Sequence, residues 1–327
     1  MASGPFNRRT LLAGLSALLA WPLRVLAAAR PPKQVLAFYY GWYGSPGHTT
    51  LDDAPDKPVG GPYDGFDPAV IARQMGQAKS AGLTGLIASW WGPGEPTDKQ
   101  FPLLLDAAQK AGLSVAPYVE QADTPEKLSD DILYLHKTYN RHQAWLLLDG
   151  RRVVFLYDRV LQTIGLDGWK AAKTRIEAAA PGFFAFVATG NGAHQIAERA
   201  PFVDGIHIYD MAFYAAQNHL LDLNWPGGFY KHWVEVQSGL KVTTATILPG
   251  YDDSHVEGRP YPRPYVGRGN GHTFNRLFDA AIAAKPDWIL IVSFNEWHEG
   301  SEIEPSTQYG DVALQSCAKR SARFLAG

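Results

Sequence analysis

Apolar residues after position 33 fall into short continuous runs, and longer stretches with a helical pattern of polar and apolar positions separate these runs. Continuous apolar runs are typical of strands that are buried on both faces, whereas a 3.6-residue period predicts amphipathic helices. Eight runs predict strands: 35–43, 84–90, 113–119, 153–158, 183–189, 205–210, 241–249 and 288–295. Six stretches predict helices, several with Asp or Thr at the start and Gly at the end: 67–82, 98–112, 124–139, 167–180, 273–285 and 311–325.

This alternation of strands and helices predicts an α/β fold, a (β/α)8 TIM barrel formed by a single domain. The alternative is an open, doubly wound sheet, which usually has a G-x-G-x-x-G turn after its first strand; the turn here, YYGWYGSPG, lacks that spacing. No linker, repeat or low-complexity tract divides the chain. Two long loops, 44–66 and 250–270, are rich in Gly, Pro, Asp and Tyr, and we expect them to cover the active face of the barrel.

The segment 1–29 has the pattern of a twin-arginine export signal. Arg8 and Arg9 precede an apolar stretch that is too short to span a bilayer comfortably, and a run of alanines follows it. The alternative is an uncleaved membrane anchor, which Arg24 disfavours because it interrupts the apolar stretch. We therefore predict cleavage near Ala29, a periplasmic or secreted location, and no stable membrane insertion of the remaining domain, 30–327.

Charge and cysteine content exclude several classes of partner and chemistry. Residues 30–327 carry 27 Lys and Arg against 32 Asp and Glu, a net charge of −5, without a basic helix or run. Nucleic acid and anionic membrane surfaces are therefore not expected partners. Cys317, the single cysteine of the chain, cannot form an intramolecular disulfide and is predicted to pack in the core. The aromatic content of 12% agrees with sugar binding, because the C–H face of a sugar stacks on an aromatic ring.

Polar and aromatic residues cluster where the predicted strands end, and in a TIM barrel the carboxyl ends of the strands form the active site. Adjacent Trp90 and Trp91 should point to opposite sides, so that one packs in the core and the other lines the site. A purely structural strand end would not need so many carboxylates and rings. The residues at these ends are Tyr39, Tyr40, Trp42, Tyr43, Trp90, Trp91, Tyr118, Glu120, Tyr157, Asp158, His207, Tyr209, Asp210, Tyr251, Asp252, Asp253, Asn295, Glu296, His298 and Glu299.

Glu296 and Glu299 are the strongest candidates for chemistry. If the chain turns helically after the last strand, side chains three residues apart point into one cavity. Repulsion between the carboxylates and burial by Trp297 would raise the pKa of one of them, which leaves one acid and one base, as glycosidic bond cleavage requires. Alternatively, these carboxylates are exposed loop charges, or they pair with an arginine of the second long loop: Arg259, Arg263 or Arg268.

A metal site is a second reading of the same strand ends, because carboxylates and histidine are metal ligands. The candidate ligands are Asp252, Asp253, Glu296, His298 and Glu299. Their spacing matches neither a zinc motif nor an EF-hand loop, and His298 could equally orient a carboxylate. We therefore expect no metal and no other cofactor. Serine or cysteine nucleophiles are not expected either, because the chain has no G-x-S-x-G motif and its single cysteine has no companion base.

Seven strings of residues between positions 36 and 310 carry a family resemblance. In chain order they are AFYYGWYGSPG, GLIASWWG, APYVEQ, VVFLYD, DGIHIYD, LPGYDDSHVEGRP and SFNEWHEGSEIEPS. At these residues the sequence resembles glycoside hydrolase family 99, the endo-α-mannosidase group and its bacterial relatives; the last string is long and specific. The resemblance implies a (β/α)8 barrel and metal-independent, endo-acting cleavage of an α-mannosidic linkage with retention of configuration.

The resemblance also implies roles for individual residues. Glu299 would be the general acid/base, and Glu296 would take the proton of the substrate's own 2-hydroxyl, whose oxygen then forms a 1,2-anhydro sugar. Further implied contacts are Glu120 to sugar hydroxyls, Tyr40 and Tyr209 beside the reacting sugar, Trp91 as a stacking platform, and Asp252 and Asp253 on the leaving-group side. The first long loop lacks the aromatic His-Trp pattern of the mannosidase members, and Gln121 stands where they have Pro, so the resemblance covers the cleavage machinery and does not assign the distal subsites or the exact glycan.

The sequence thus predicts an exported, monomeric, retaining endo-glycosidase that cleaves α-mannosidic or related linkages in an oligo- or polysaccharide, with Glu296 and Glu299 as catalytic residues. The predicted substrate-binding residues are Tyr40, Trp42, Trp91, Glu120, Tyr209, Tyr251, Asp252, Asp253, Asn295 and His298. Two rivals remain. A non-catalytic carbohydrate-binding barrel would not need both glutamates, and a metal-dependent polysaccharide hydrolase, such as a deacetylase, would lose activity with a chelator.

Overall fold

A computed structural model of the protein describes residues 30–44, 50–218, 225–259, 261 and 263–327. The predicted export signal at 1–29 lies outside the described residues. Eight parallel strands occupy the centre of the fold. They are β1 Gln34–Tyr39, β2 Gly85–Trp90, β3 Ser114–Val119, β4 Arg151–Leu156, β5 Phe184–Thr189, β6 Gly205–His207, β7 Thr244–Ile247 and β8 Trp288–Ile291.

The eight strands form a nearly closed barrel. From β1 to β6 each strand pairs with the next along the chain, and β8 pairs with both β1 and β7. Between β6 and β7, closure depends on a parallel bridge from Gly205 to Val242 and on a 2.7 Å hydrogen bond from Thr244 Oγ1 to the Ile206 carbonyl. Glycine is required at position 205, because a Cβ there would lie 2.5 Å from the Val242 side chain. The predicted (β/α)8 TIM barrel is confirmed.

Helices cover the outside of the barrel, and local capping signals explain where several of them begin and end. The Asp67 side chain accepts a 2.8 Å hydrogen bond from the amide of Ala69, and Thr124 accepts one of 3.1 Å from Lys127. Gly112 ends the second helix in the left-handed region, with φ of 68°. The helices are α1 Pro68–Ser80, α2 Pro96–Ala111, α3 Pro125–Tyr139, α4 Asp158–Ala179, α5 Ala193–Arg199, α6 Met211–Asn218, α7 Gly227–Val236, α8 His272–Ala284 and α9 Val312–Ala326.

The structure differs from the sequence pattern at three helices and at several element ends. The pattern does not predict α5 and α6, which have 7 and 8 residues, or α7, whose Gly and aromatic residues have weak helix propensity. Helix α4 begins at Asp158 rather than at 167 and continues across a kink at Gly165, so Asp158 belongs to a helix and not to a strand end. Strands β1 and β8 end before their apolar runs end. The apolar residues that follow each strand lie in loops, where they are also buried.

Alternate residues of each strand pack in two separate layers of the core. In β1, Val35 and Ala37 face the surrounding helices, whereas Leu36 and Phe38 fill the barrel interior. This division explains why the strand sequences read as continuous apolar runs. Cys317 of α9 is fully buried between the barrel and the helices, so its predicted packing role is confirmed.

Both long loops reach the carboxyl ends of the strands, as predicted. The first loop is held by Lys57, whose Nζ donates to the carbonyl oxygens of Leu51 and Ala54 at 2.7 and 2.9 Å. The second folds back as a short antiparallel pair between Tyr251–Asp252 and Tyr265–Val266. Among the described helices, none combines the length and the apolar character that crossing a membrane requires.

Candidate active site

A cleft of about 560 Å³ opens at the carboxyl ends of the barrel strands, between the two long loops. Eight of the twelve residues predicted for the site line it: Tyr40, Trp42, Trp91, Glu120, Tyr209, Glu296, His298 and Glu299. These residues come from five different strand ends, and the barrel alone brings them together.

Glu296 and Glu299 both line this cleft, because the chain forms a helical turn a few residues after the end of β8. Residues Trp297–Glu299 form one turn of 3₁₀ helix, and Glu296 caps it by accepting a 3.3 Å hydrogen bond from the amide of His298. The two carboxylates are 4% and 7% exposed. The helical turn that would direct both carboxylates into one cavity is therefore present.

Both oxygens of Glu299 accept hydrogen bonds. The guanidinium of Arg259 lies 2.5 Å from Oε1, and the hydroxyl of Tyr209 lies 3.2 Å from Oε2. The hydroxyls of Tyr209 and Tyr40 lie 2.5 Å apart and share a hydrogen bond, in which either oxygen can be the donor. One of the arginines that the sequence left open as an ion-pair partner is thus a partner of Glu299, inside the cleft rather than on the surface.

Burial raises the pKa of Glu299 to about 7. The positive charge of Arg259 opposes this rise, and the neighbouring negative charge of Glu296 adds to it. Near neutral pH the carboxyl group therefore exists in both protonation states. That is the property of a group that donates a proton in one step and accepts one in the next.

Glu296 lies in different surroundings. Its Oε1 accepts a 3.3 Å hydrogen bond from Tyr43 and lies 3.7 Å from Nδ1 of His298. The other ring nitrogen, Nε2, lies 2.9 Å from the carbonyl oxygen of Thr50, so it carries the proton of the neutral ring. Although burial opposes the charged ring, hydrogen bonding and attraction to Glu296 raise the pKa of His298 above its usual value.

Glu120 and Trp91 form the wall of the cleft at the ends of β2 and β3. Burial raises the pKa of Glu120 to about 8, against a hydrogen bond from Ser89 and the charge of Arg159 at 3.8 Å. The indole nitrogen of Trp91 donates to Ser89 Oγ at 3.1 Å, and the guanidinium of Arg159 lies over the indole ring at 5.0 Å. Trp90 points the other way, fully buried, with its indole nitrogen 3.1 Å from Asp98 in α2. The predicted opposite directions of the two tryptophans are confirmed.

Asn295 is a correction to the predicted set of cleft residues. Its side chain is fully buried and crosslinks two strand ends: Oδ1 accepts from the amide of Tyr40 and Nδ2 donates to its carbonyl, both at 2.8 Å. Both ends of the amide are used within the protein, so Asn295 does not face the cleft. It fixes the extension of β1, and thereby Tyr40, against the turn that carries the two glutamates.

The other three predicted residues lie in two neighbouring cavities. Tyr251 and Asp253 line a cavity of about 220 Å³, and Asp252 lines a separate one of about 270 Å³. Arg259 and Glu299 line both the cleft and the 220 Å³ cavity, so their ion pair forms the boundary between the two spaces. Asp253 supports this boundary, because it forms a 3.0 Å ion pair with Nη1 of Arg259, while Nη2 of the same guanidinium contacts Glu299.

Several residues of the site were not predicted as functional. Arg159, in the first turn of α4, reaches the cleft because its helix begins earlier than the pattern indicates. Tyr63, in the first long loop, donates to Glu304 at 2.8 Å and accepts from Trp297 and Asn295 at 3.1 and 3.3 Å beneath the glutamates. No local signal marks Tyr63, because its hydrogen-bond partners Glu304, Trp297 and Asn295 are all more than 200 residues away in the chain.

The described residues contain no group of three or more His, Cys, Asp or Glu side chains that could hold a metal ion. The site is instead a pair of buried carboxylates with different surroundings, at the carboxyl end of a (β/α)8 barrel and next to aromatic rings. This combination defines the class of barrel enzymes that cleave glycosidic bonds by acid and base catalysis.

Comparison with known proteins places the chain within this class. The family model for Glycosyl hydrolase family 99 matches residues 48–313, and the chain belongs to that family. A glycoprotein endo-alpha-1,2-mannosidase-like protein of Mus musculus is 27% identical over 88% of this chain and 74% of its own length. The glycoprotein endo-alpha-1,2-mannosidase of Xenopus laevis is 27% identical over 84% of this chain and 70% of its own.

A solved structure gives the same result. The GH99 endo-alpha-mannosidase from Bacteroides thetaiotaomicron, in complex with bis-tris-propane, superposes with a TM-score of 0.76 and 26% identity, over 89% of this chain and 97% of that one. The family resemblance carried by the seven strings is therefore confirmed, and the chain is an endo-α-mannosidase-like glycoside hydrolase.

Proposed function

We propose that this protein is a retaining, endo-acting glycoside hydrolase that cleaves α-mannosidic linkages within a glycan, with Glu299 as general acid/base and Glu296 as the base toward the substrate's 2-hydroxyl. The observation that carries the proposal is the contrast between the two carboxylates of one cleft. The pKa of Glu299, beside Arg259 and Tyr209, is raised to about 7, whereas Glu296 accepts from Tyr43 and lies 3.7 Å from the ring nitrogen Nδ1 of His298. The names of the similar proteins supply the substrate class.

In the first step, Glu296 accepts the proton of the sugar's 2-hydroxyl, and the 2-oxygen attacks the anomeric carbon. The bond from that carbon to the leaving oxygen breaks, and Glu299 gives its proton to the leaving oxygen. The product is a 1,2-anhydro sugar, formed with inversion at the anomeric carbon. Tyr209 stabilises the carboxylate that Glu299 becomes, because its hydroxyl already donates to Oε2.

In the second step, Glu299 takes a proton from water, and the water oxygen attacks the anomeric carbon. The bond from that carbon to the 2-oxygen breaks, and the 2-oxygen recovers its proton from Glu296. Two inversions give net retention, and both glutamates return to their starting states. We assign sugar contacts on this face to Trp91, Tyr40 and Glu120, which line the same cleft.

The substrate class is tested by release of reducing ends from a panel of α-mannans and bacterial exopolysaccharides, with an EDTA-treated sample alongside. We expect cleavage of an α-mannan that EDTA does not change, and a product whose first-formed anomer, read by NMR, is the α form. Binding of these glycans without release of reducing ends would instead support the non-catalytic barrel. Loss of activity with EDTA would support the metal-dependent hydrolase.

Arg259 should set the pH range in which Glu299 is protonated. The guanidinium favours the carboxylate and lowers the pKa of Glu299, so Arg259→Gln lets the carboxyl keep its proton to higher pH. We expect the alkaline limb of kcat/KM to move to higher pH by about one unit, because the Arg259 side chain is 37% exposed and its charge is partly screened. Arg263→Gln is the control, since Arg263 donates only to loop carbonyls. An alkaline limb that stays in place would contradict this role.

We propose that the protein is exported, with residues 1–29 as a twin-arginine signal. Replacing both Arg8 and Arg9 with Lys in the full-length chain should retain the protein inside the cell, where cell fractionation would find it. Export of the double variant at the wild-type level would contradict the assignment.

A further inference from the structure

A second cavity, of about 270 Å³, lies beside the cleft and is not used by the proposed mechanism. It is lined by the first long loop, the second long loop and residues 300–309, which follow the turn Trp297–Glu299. His255 lines both this cavity and the cleft, so the two spaces meet at that side chain. A chain-like substrate in the cleft therefore has a polar space within reach of its end.

Two carboxylates on the cavity wall each have one oxygen that receives no hydrogen bond from the described part of the chain. These oxygens are Oδ2 of Asp56 and Oε2 of Glu302, and the two residues are 6% and 1% exposed. The other oxygen of each carboxylate already has partners within the protein. Oδ1 of Asp56 accepts from Lys57, Thr307 and Gln308, and Oε1 of Glu302 pairs with Arg268. Buried acceptors without donors cost free energy, so this wall lacks hydrogen-bond donors that a ligand can supply.

The surroundings favour hydroxyl groups over a cation as these donors. Arg268 already places a positive charge beside Glu302, and it also donates to the carbonyl oxygens of Gly300 and Glu302. In the described chain no three ligating side chains meet here in an arrangement that could hold a metal ion. The cavity is also lined by the aromatic ring of Tyr265, which is 67% exposed. Carboxylates that accept from hydroxyls, next to an exposed ring, are the features that bind a sugar.

We infer that this cavity is a distal subsite for one further sugar unit of the glycan that is cleaved in the cleft. Asp56 and Glu302 accept hydrogen bonds from its hydroxyls, and Tyr265 packs on its C–H face. The inference rests on the proposed function, because the ligand is taken to be a part of the same glycan that occupies the adjoining cleft. It makes the enzyme selective for chain length, because only a longer oligosaccharide reaches past His255.

Two variants test the subsite without removing a buried ion pair. Asp56→Asn preserves Oδ1 for its three loop donors and replaces the unpartnered Oδ2 with an amino group. Tyr265→Ala removes an exposed ring. Tyr261→Ala is the matched control, because Tyr261 lies on the same loop, is 83% exposed and does not line the cavity. All three changes are placed in the Glu299→Gln background, which we expect to turn over slowly, for binding and in wild type for turnover.

The measurement is calorimetric affinity for α-mannan oligosaccharides of increasing length. For long oligosaccharides we expect Asp56→Asn to lose about tenfold in affinity, the value of one hydrogen bond to a charged group, and Tyr265→Ala to lose less. Short oligosaccharides and the control should show no change, and in active enzyme the loss should appear in KM rather than kcat. Equal losses at every length, or none, would overturn the subsite.

Other outcomes separate this inference from the proposed function. Length-dependent binding by a wild-type enzyme that releases no reducing ends would overturn the proposed function and leave the subsite supported. Absence of binding to every oligosaccharide would overturn both. Calcium that binds to wild type, but not to Asp56→Asn, would assign the cavity to a cation and overturn the sugar subsite.

Discussion

Glu299→Gln should lower kcat/KM on an α-mannan by about 10² to 10⁴ fold, the usual contribution of a positioned general acid/base. The glutamine cannot protonate the leaving oxygen and cannot activate water in the second step. The change preserves the size of the side chain, and the carbonyl oxygen of the glutamine can still accept from Arg259, whereas its amide nitrogen cannot accept from Tyr209. Release of reducing ends measures the effect, and circular dichroism checks that the variant is folded.

An activated aryl α-mannoside separates the two roles of Glu299. Its leaving group needs no proton, so the first step should stay fast in Glu299→Gln while the second, which needs the base, becomes slow. We expect a burst of released phenol equal to the enzyme concentration, followed by slow turnover. Glu235→Gln, the same change on the exposed face of α7, should behave as wild type. Wild-type activity in Glu299→Gln would eliminate this residue as the acid/base.

Glu296→Gln should cause a loss of similar size, about 10² to 10⁴ fold, for a different reason. Without the carboxylate, no group takes the proton of the 2-hydroxyl, and the first bond to the anomeric carbon does not form. An activated aryl leaving group therefore does not rescue this variant, and no burst appears. The two glutamates are distinguished by this contrast in burst kinetics at comparable overall loss.

The mechanism assigned to Glu296 can be tested from the substrate side. A 2-deoxy substrate has no 2-oxygen, so wild-type enzyme should not cleave it even with an activated leaving group. If Glu296 were instead a direct nucleophile, the 2-deoxy substrate would react, and a 2-fluoro analogue would leave a sugar attached to Glu296 that mass spectrometry detects. Such an adduct would replace the 1,2-anhydro route with a covalent one.

The parts of the fold that the sequence predicts best depend on short-range pattern. Strand β2 is buried on both faces, and the run at 84–90 shows this without reference to any other element. The turn Trp297–Glu299 is equally local, because the spacing of Glu296 and Glu299 and one 3₁₀ turn are enough to direct both carboxylates to the same side. The helices α5 to α7 are not predicted, because tertiary packing rather than helix propensity stabilises them.

The sequence by itself determined the order of eight strands, the family string and the pair of glutamates proposed as catalytic, since each depends on residues that are neighbours in the chain. The tertiary structure alone decided which polar residues reach the cleft. Asn295 turns away to bind the backbone of Tyr40, 255 positions earlier, and Arg259 reaches Glu299 across 40 positions. Closure of the barrel creates these contacts, and the burial and charges that raise the pKa of Glu299 exist only once distant segments surround it.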